Sequence, residues 1–263
     1  MTSTNKSNYA GIVKDCQQWA DEAAVLARKY FRQPTQVSFK ADESPVTVID
    51  QLIESELKKS ISAKYPQDGI LGEESGTEGA TCDNLWVIDP IDGTRSFVSG
   101  NPLFGMLLAY VESNVPVAGI ISMPMLSEVY SGGLGLPATC NAQPITASDQ
   151  GKIDDCILYI NEGEKLLAEH PQTLGRLLSA GKVKRFGYDC YPHALLAAGH
   201  IDAVIDYDLK PYDYLALSMV IQSAGGIITD WKGNKLDMQS KGDVVSAATP
   251  ELHQSLLKLL NSE

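Results

Sequence analysis

The chain lacks an excess of basic charge: 21 lysines and arginines face 33 aspartates and glutamates, giving a formal charge of −12 and a pI near 4.8. That balance argues against a nucleic-acid surface and suits a protein whose acids gather around cations. There is no C-x-x-C pair and no histidine at zinc-ligand spacing, and the five cysteines, Cys16, Cys82, Cys140, Cys156 and Cys190, are odd in number and far apart. They read as reduced packing thiols of a cytoplasmic protein. No apolar run approaches the roughly 18 residues that span a bilayer. Lys14, Asp15, Asp21 and Glu22 interrupt the first thirty residues, so neither export nor membrane insertion is expected. Internal repeats, low-complexity tracts and long flexible linkers are also missing, which leaves an ordinary globular chain.

What is present is 263 residues, 44% of them hydrophobic, enough for a substantial core in one large domain or two small ones. Ile12, Cys16, Trp19, Ala23, Leu26 and Tyr30 recur at steps of three and four, the spacing of one helix face, with Pro34 just beyond. Thr47 and Asp50 form an S/T-x-x-D pair ahead of Ile49, Ile53, Leu57 and Ile61, which predicts a second helix from near Thr47 to Tyr65-Pro66. Phe104 to Val111 and Val115 to Met123 are β-rich runs joined at Glu112-Ser113-Asn114, and Glu128-Val129-Tyr130 is a further strand. This half reads as helices packed on an antiparallel sheet. From about residue 150 strands and helices alternate: strand 156–160, helix 165–178, strand 183–186, helix 194–198, strand 203–206, helix 214–223, strands 226–229 and 244–247, helix 252–260. The expected architecture is α+β passing into α/β. It comprises an N-terminal unit of residues 1–143 and a C-terminal unit of 144–263 that share an interface, with Gly132 to Gln143 as the boundary.

Residues 86–94, Trp86-Val87-Ile88-Asp89-Pro90-Ile91-Asp92-Gly93-Thr94, run an apolar strand into two carboxylates three apart and then a glycine-hydroxyl pair. Leu85, Val87 and Ile88 can pair as a buried strand, Pro90 ends it, and Gly93-Thr94 frees backbone N–H groups to face an anion. Two acids on one turn repel unless something positive sits between them, and hard divalent cations such as Mg²⁺ prefer carboxylate and carbonyl oxygens. The bland alternative is a decorated turn, since Asp, Pro and Gly are ordinary turn residues. The other acids are as open when taken singly. Glu73 and Glu74, between Gly72 and Gly76, fit a second acidic turn or a solvated loop. Asp50 is accounted for by its capping box, and Asp213, ahead of Leu215, Leu217, Met219 and Val220, by the dipole of that helix.

Taken in order, Gly72-Glu73-Glu74, then Asp89-Pro90-Ile91-Asp92-Gly93-Thr94, then Tyr212-Asp213 before a helix ending Ala224-Gly225-Gly226 resemble the inositol monophosphatase superfamily of metal-dependent, lithium-sensitive phosphatases. The resemblance covers nearly the whole chain. It implies a layered αβαβα sandwich, a homodimer, and two or three Mg²⁺ ions, with Mn²⁺ as a substitute and Li⁺ or Ca²⁺ as inhibitors. Residue by residue, it implies that Glu73, Asp89 and the Ile91 carbonyl hold one ion, that Asp89, Asp92 and Asp213 hold a second, and that Asp50 and Glu73 support a third. Gly93 and Thr94 would offer N–H groups to the substrate phosphate, and Thr94, backed by Asp50, would orient the attacking water. Glu74 stays outside, because the first glutamate of the pair is the ligand in the family pattern. Hydrolysis would then be a direct attack by water with no covalent enzyme intermediate. A phosphatase of the haloacid dehalogenase type is the nearest rival, but it requires Asp-x-Asp where this chain has Asp-x-x-Asp.

The C-terminal half bears on the alcohol part of the ester. Gly187-Tyr188-Asp189-Cys190-Tyr191 and Leu209-Lys210-Pro211-Tyr212-Asp213-Tyr214-Leu215-Ala216-Leu217, with Thr94-Arg95-Ser96-Phe97, resemble the histidinol-phosphate phosphatase branch, which serves histidine biosynthesis. A cationic aminoalcohol wants acids around its ammonium and imidazole, and Asp189 and Asp206 could supply them. Asp189 could equally cap the helix carrying Ala194, Leu195 and Leu196. Inositol 1-phosphate or another small sugar or nucleotide phosphate is the alternative substrate. A regulatory or scaffold homodimer is the alternative of another class, against which stands the retention of Asp89, Asp92, Thr94 and Asp213. His193 and His200 read as packing and helix-capping residues, and Arg95 and Lys210 stay outside the catalytic set.

Overall fold

The computed structural model describes residues 3–34, 37–39, 45–78 and 83–262; Cys82 lies outside them. The N-terminal part runs α1 (Ser3–Tyr30), β1 (Val37–Phe39), β2 (Pro45–Thr47), α2 (Val48–Lys64), β3 (Gly69–Gly72), β4 (Gly76–Glu78), β5 (Asn84–Asp92) and α3 (Thr94–Ser99). It continues through β6 (Gly105–Glu112), β7 (Val115–Met123), β8 (Glu128–Gly133), β9 (Thr139–Cys140) and β10 (Gln143–Pro144). Then follow β11 (Ile157–Ile160), α4 (Gly163–Glu169), α5 (Pro171–Ser179), β12 (Val183–Phe186), α6 (Tyr191–Ala197), β13 (Ala203–Asp206), α7 (Pro211–Ser223), β14 (Ile227–Asp230), β15 (Val244–Ala247) and α8 (Pro250–Leu260).

These elements stack in five layers. Helices α1 and α2 cover one face of an eight-stranded sheet of order β10-β9-β8-β7-β6-β5-β3-β4, and α6 and α7 cover the other. A five-stranded sheet of order β12-β11-β13-β15-β14 follows, with α5 and α8 outside it. Burial on both faces explains why β6 and β7 are almost uniformly apolar rather than alternating. Helix α7 lies directly on β7: a Cβ at Gly119 would stand 2.4 Å from the Ala216 carbonyl oxygen, so only glycine permits that approach. The contact carries Asp213, at the N-terminal end of α7, to the first sheet. On the opposite face Trp86 is fully buried, its ring tilted against Tyr110 at 4.5 Å and edge-on to Trp19 at 5.3 Å between centroids, and it donates its indole N–H to Asp68 at 3.0 Å.

Several elements differ in detail from the sequence reading. The first sheet is mixed, because β3 runs parallel to β5. The helix expected over 165–178 is two helices, since Pro171 cannot donate to the preceding turn and instead starts α5 at its first position. Helix α6 begins at Tyr191 with Cys190 as its N-cap, so Asp189 is not the cap. The stretch Gly132 to Gln143 holds the end of β8, all of β9 and the start of β10, and so forms the edge of the first sheet. Ser113 and Asn114 both take positive φ, 49° and 66°, the turn geometry that suits a two-residue hairpin between β6 and β7.

Candidate active site

Strand register assembles the acids. Gly72 pairs with Ile88 in the parallel β3–β5 ladder, and the Glu73 N–H continues it to the Ile88 carbonyl at 3.0 Å, which sets Glu73 beside Asp89. Between β5 and β6 the pairing jumps from Asp89 opposite Leu107 to Asp92 opposite Gly105, so β5 carries one extra residue. In a regular strand, side chains three apart point to opposite faces; the extra residue turns Asp92 onto the side of Asp89. This is what the spacing Asp-x-x-Asp requires, and Pro90, which has no N–H to donate, sits within the irregularity.

Asp213 reaches the same place from the first turn of α7. Ligand oxygens of Asp89, Asp92 and Asp213 lie within 4.8 Å of one another, and the Glu73 carboxyl is within hydrogen-bonding reach of Asp89. The side chains are steered by backbone donors: Ile91 N–H to Asp89 at 3.0 Å, Cys190 N–H to Asp92 at 2.5 Å and Lys210 N–H to Asp213 at 2.6 Å. Asp213 thus closes its own helix end and also joins the cluster.

Burial, then repulsion from Glu73, Asp92 and Asp213, pushes the Asp89 carboxyl well above the usual carboxylate range. Asp92 is raised for the same reasons, by burial and then by Asp189 and Asp213, against the pull of the Cys190 N–H. Asp213 is pushed up to about 8, burial and the charges of Glu73 and Asp206 outweighing the Lys210 N–H. Carboxylates crowded and dehydrated in this way need either protons or a cation. An all-oxygen donor set of this kind fits a hard divalent ion, with Glu73, Asp89, Asp92 and Asp213 placed to hold it.

Beside the acids, Gly93 at φ 86° opens α3. The buried Thr94 shares its hydroxyl proton between Asp50 Oδ1 and the Ile91 carbonyl, both at 3.1 Å. Asp50 is fully buried in the capping box of α2, where it accepts the Thr47 N–H at 2.9 Å together with the Thr47 hydroxyl. Capping and support of Thr94 therefore coexist in one side chain.

The cluster opens into a pocket of about 140 Å³ edged by Asp92, Glu162, Asp189, Asp206, Asp208 and Asp213. Glu162 and Asp189 also border an adjoining cleft of about 250 Å³ that includes Arg95 and Tyr188. The Asp189 carboxylate packs over Gly93, where a Cβ would come within 2.4 Å of it, and accepts the Ser96 hydroxyl at 2.6 Å. Burial raises it to about 6, with Ser96 opposing and Glu162 and Asp206 reinforcing the rise. Asp206 is 2% exposed and engaged by the Asn161 amide at 2.6 Å, His193 Nε2 at 3.1 Å and the Tyr207 N–H at 2.9 Å. His193 is a fully buried brace, bonded on its other nitrogen to Ser246 at 3.1 Å. Lys165 bridges Glu162 at 3.5 Å and Asp208 at 2.9 Å.

Sequence reading missed Glu162, Lys165 and the Cys190 N–H. Glu162 had a usable signal: it lies just past the C-terminal end of β11, which pairs in parallel with β12 and β13, and such ends carry sites in α/β sheets. The Cys190 N–H had none, because a backbone donor leaves no mark on residue type.

Comparison with known proteins completes the assignment. The profile of the inositol monophosphatase family matches residues 12–263. The chain is 38% identical to a chloroplastic bifunctional phosphatase of Arabidopsis thaliana over 92% of its own length and 72% of that protein's. It is 36% identical to a histidinol-phosphatase of Chlorobaculum parvum over 87% and 88% of the two chains. Its fold superposes on the structure of an inositol monophosphatase from Zymomonas mobilis with a TM-score of 0.87 at 34% identity, covering 97% and 99% of the two chains. The chain belongs to the inositol monophosphatase family and is a phosphate monoester hydrolase.

Proposed function

We propose that the chain hydrolyses histidinol phosphate to histidinol and phosphate in a Mg²⁺-dependent reaction. The carrying observation is that the acid cluster of Asp89, Asp92 and Asp213 opens directly into a pocket edged by Asp189 and Asp206, beside Glu162 and Asp208, which Lys165 already bridges. A neutral cyclitol gives such a wall nothing to neutralise, whereas an ammonium and an imidazolium do. The likeness to the Chlorobaculum parvum histidinol-phosphatase points the same way.

In this reading Glu73, Asp89, Asp92, Asp213 and the Ile91 carbonyl hold the ions, and a bound divalent cation supplies Lewis acidity to the phosphoryl oxygens and lowers the pKa of water. The work of the chain's other groups follows from their contacts. Asp50 accepts the Thr94 proton, which turns a lone pair of the hydroxyl outward to fix the position of the attacking water. Gly93 and Thr94 present the start of α3 to the phosphate. Asp189, docked on Ser96, holds the alcohol part at a set distance from the phosphate.

The test is a panel of histidinol phosphate, inositol 1-phosphate, fructose 1,6-bisphosphate and a 3′-phosphoadenylate, each with Mg²⁺. The expected result is the highest kcat/KM for histidinol phosphate. A higher value for inositol 1-phosphate would overturn the substrate assignment, and no phosphate release from any of the four would favour a scaffold role.

A further inference from the structure

Helix α2 contributes two buried acids one turn apart, Asp50 at 0% and Glu54 at 2% exposure, of which Asp50 supports Thr94. Four residues apart on a helix, they lie on one face. Glu54 Oε2 accepts the Glu74 N–H at 2.9 Å, and its Oε1 accepts the Ser75 hydroxyl. Lys58, one turn further on, reaches Glu54 at 3.4 Å and Glu78 at 2.6 Å and donates to the same Ser75 hydroxyl. The fit is close: a Cβ at Gly72 would stand 2.4 Å from the Glu54 carboxyl carbon.

A dehydrated carboxylate is costly unless it is bonded, so its placement here calls for a use. Apart from the ion pair with Lys58 of its own helix, its two hydrogen bonds both go to the turn between β3 and β4, which carries Glu73. Two successive backbone N–H groups of that turn are thereby anchored on different elements, Glu73 on the Ile88 carbonyl of β5 and Glu74 on Glu54 of α2. Little freedom remains for the peptide between them, and the Glu73 side chain leaves it toward Asp89.

We infer that Glu54 is a positioning residue of the metal site: it clamps the β3–β4 turn so that the Glu73 carboxylate is held ready beside Asp89. The inference rests on the reading that this acid cluster binds divalent cations. Glu54 touches neither ion nor substrate; it acts through Glu73. Side chains that orient ligands in this way typically govern metal affinity by about tenfold or more.

The experiment titrates the full chain with Mn²⁺ alone, following free Mn²⁺ by electron paramagnetic resonance, for wild type, Glu54→Ala, Glu54→Gln, Ser75→Ala and Asp89→Asn. Folding is checked by circular dichroism without metal. Glu54→Ala is expected to weaken Mn²⁺ binding about tenfold. Glu54→Gln should recover most of the loss, because the amide oxygen can still accept the Glu74 N–H while the Ser75 hydroxyl reverses to accept from the amide. A purely structural Glu54 would lower the melting temperature and leave Mn²⁺ affinity unchanged. That result, with binding lost in Asp89→Asn, overturns the inference. Wild-type binding by Asp89→Asn would overturn the metal-site reading, and the clamp with it. Should Glu54→Ala not fold, Ser75→Ala, which removes one of the two contacts, carries the test: severalfold weaker binding supports the clamp and unchanged binding overturns it.

Discussion

The acids of the phosphate side and those of the alcohol side are held by different means. Asp89 and Asp92 stand on β5 and its irregularity, Glu73 just beyond β3, Asp213 in the first turn of α7, all set by ladder register or helix geometry. Glu162, Asp189 and Asp208, around the pocket, sit instead at loop positions with φ of 49°, 57° and 61°. Left-handed backbone is uncommon for residues other than glycine, asparagine and aspartate, and it persists only where the surroundings over-determine it. Under the proposed function this is a division of labour: sheet register and helix geometry set the acids assigned to hydrolysis, while those assigned to the leaving alcohol are strand-borne Asp206 and loop ends braced by contacts such as Ser96 to Asp189 and Lys165 to Asp208. Altering the first set should damage turnover on every substrate. Altering the second should change the ranking of substrates.

The sharpest break is Asp92→Asn. It removes a carboxylate charge from the cluster yet keeps a group of the same size beside the Cys190 N–H. A fall in kcat/KM on the order of a thousandfold, equal for histidinol phosphate and inositol 1-phosphate, is expected from the loss of several kcal/mol of charge stabilisation. A substrate-dependent loss would blur the division at its centre.

Next comes Thr94→Ala, which deletes the hydroxyl between Asp50 and the Ile91 carbonyl while leaving the clustered carboxylates in place. Turnover should fall by about a hundredfold, again on both substrates. Mn²⁺ affinity measured without substrate should change far less; an equal loss of both would make Thr94 part of the metal scaffold rather than of water positioning.

On the alcohol side, Asp189→Ala should cost about tenfold in kcat/KM on histidinol phosphate and markedly less on inositol 1-phosphate. Equal losses would mean that its contact with Ser96, which docks the loop before α6 on α3, is its whole contribution.

The division also explains what the sequence could tell. Strand β5, the capping box at Thr47 and Asp50, and the β6–β7 hairpin each carry a local pattern, so the centre of the first sheet is legible from residue order, whereas its acids, open when taken singly, gain their roles only from the resemblance of the whole series of motifs. The break at Pro171 was legible too, had proline been given precedence over the apolar period. The mixed β3–β5 pairing was not, because parallel and antiparallel partners share the same apolar run. Nor was Glu54, whose use depends on Glu74 and Ser75 arriving from 20 residues away.

A final comparison separates the two regions by pH. A carboxyl whose folded pKa lies above its ordinary value of 3.8 binds its proton longer in the native than in the unfolded state. Native protein then holds more protons across that window, and stability falls as pH rises through it. Without metal, Asp189 gives such a decline between about 4 and about 6, and Asp213 extends it to about 8, with Asp89 and Asp92 adding in the same direction. Saturating Mg²⁺ favours the ionised cluster, so it should remove the contributions of Asp213, Asp89 and Asp92 at every pH, abolishing the decline above pH 6 and leaving between about 4 and about 6 only the share of Asp189. Urea unfolding across this range, with and without Mg²⁺, measures it. If Mg²⁺ also removed the share left between about 4 and about 6, Asp189 would belong to the metal-binding acids, and the line drawn between the two regions would have to move.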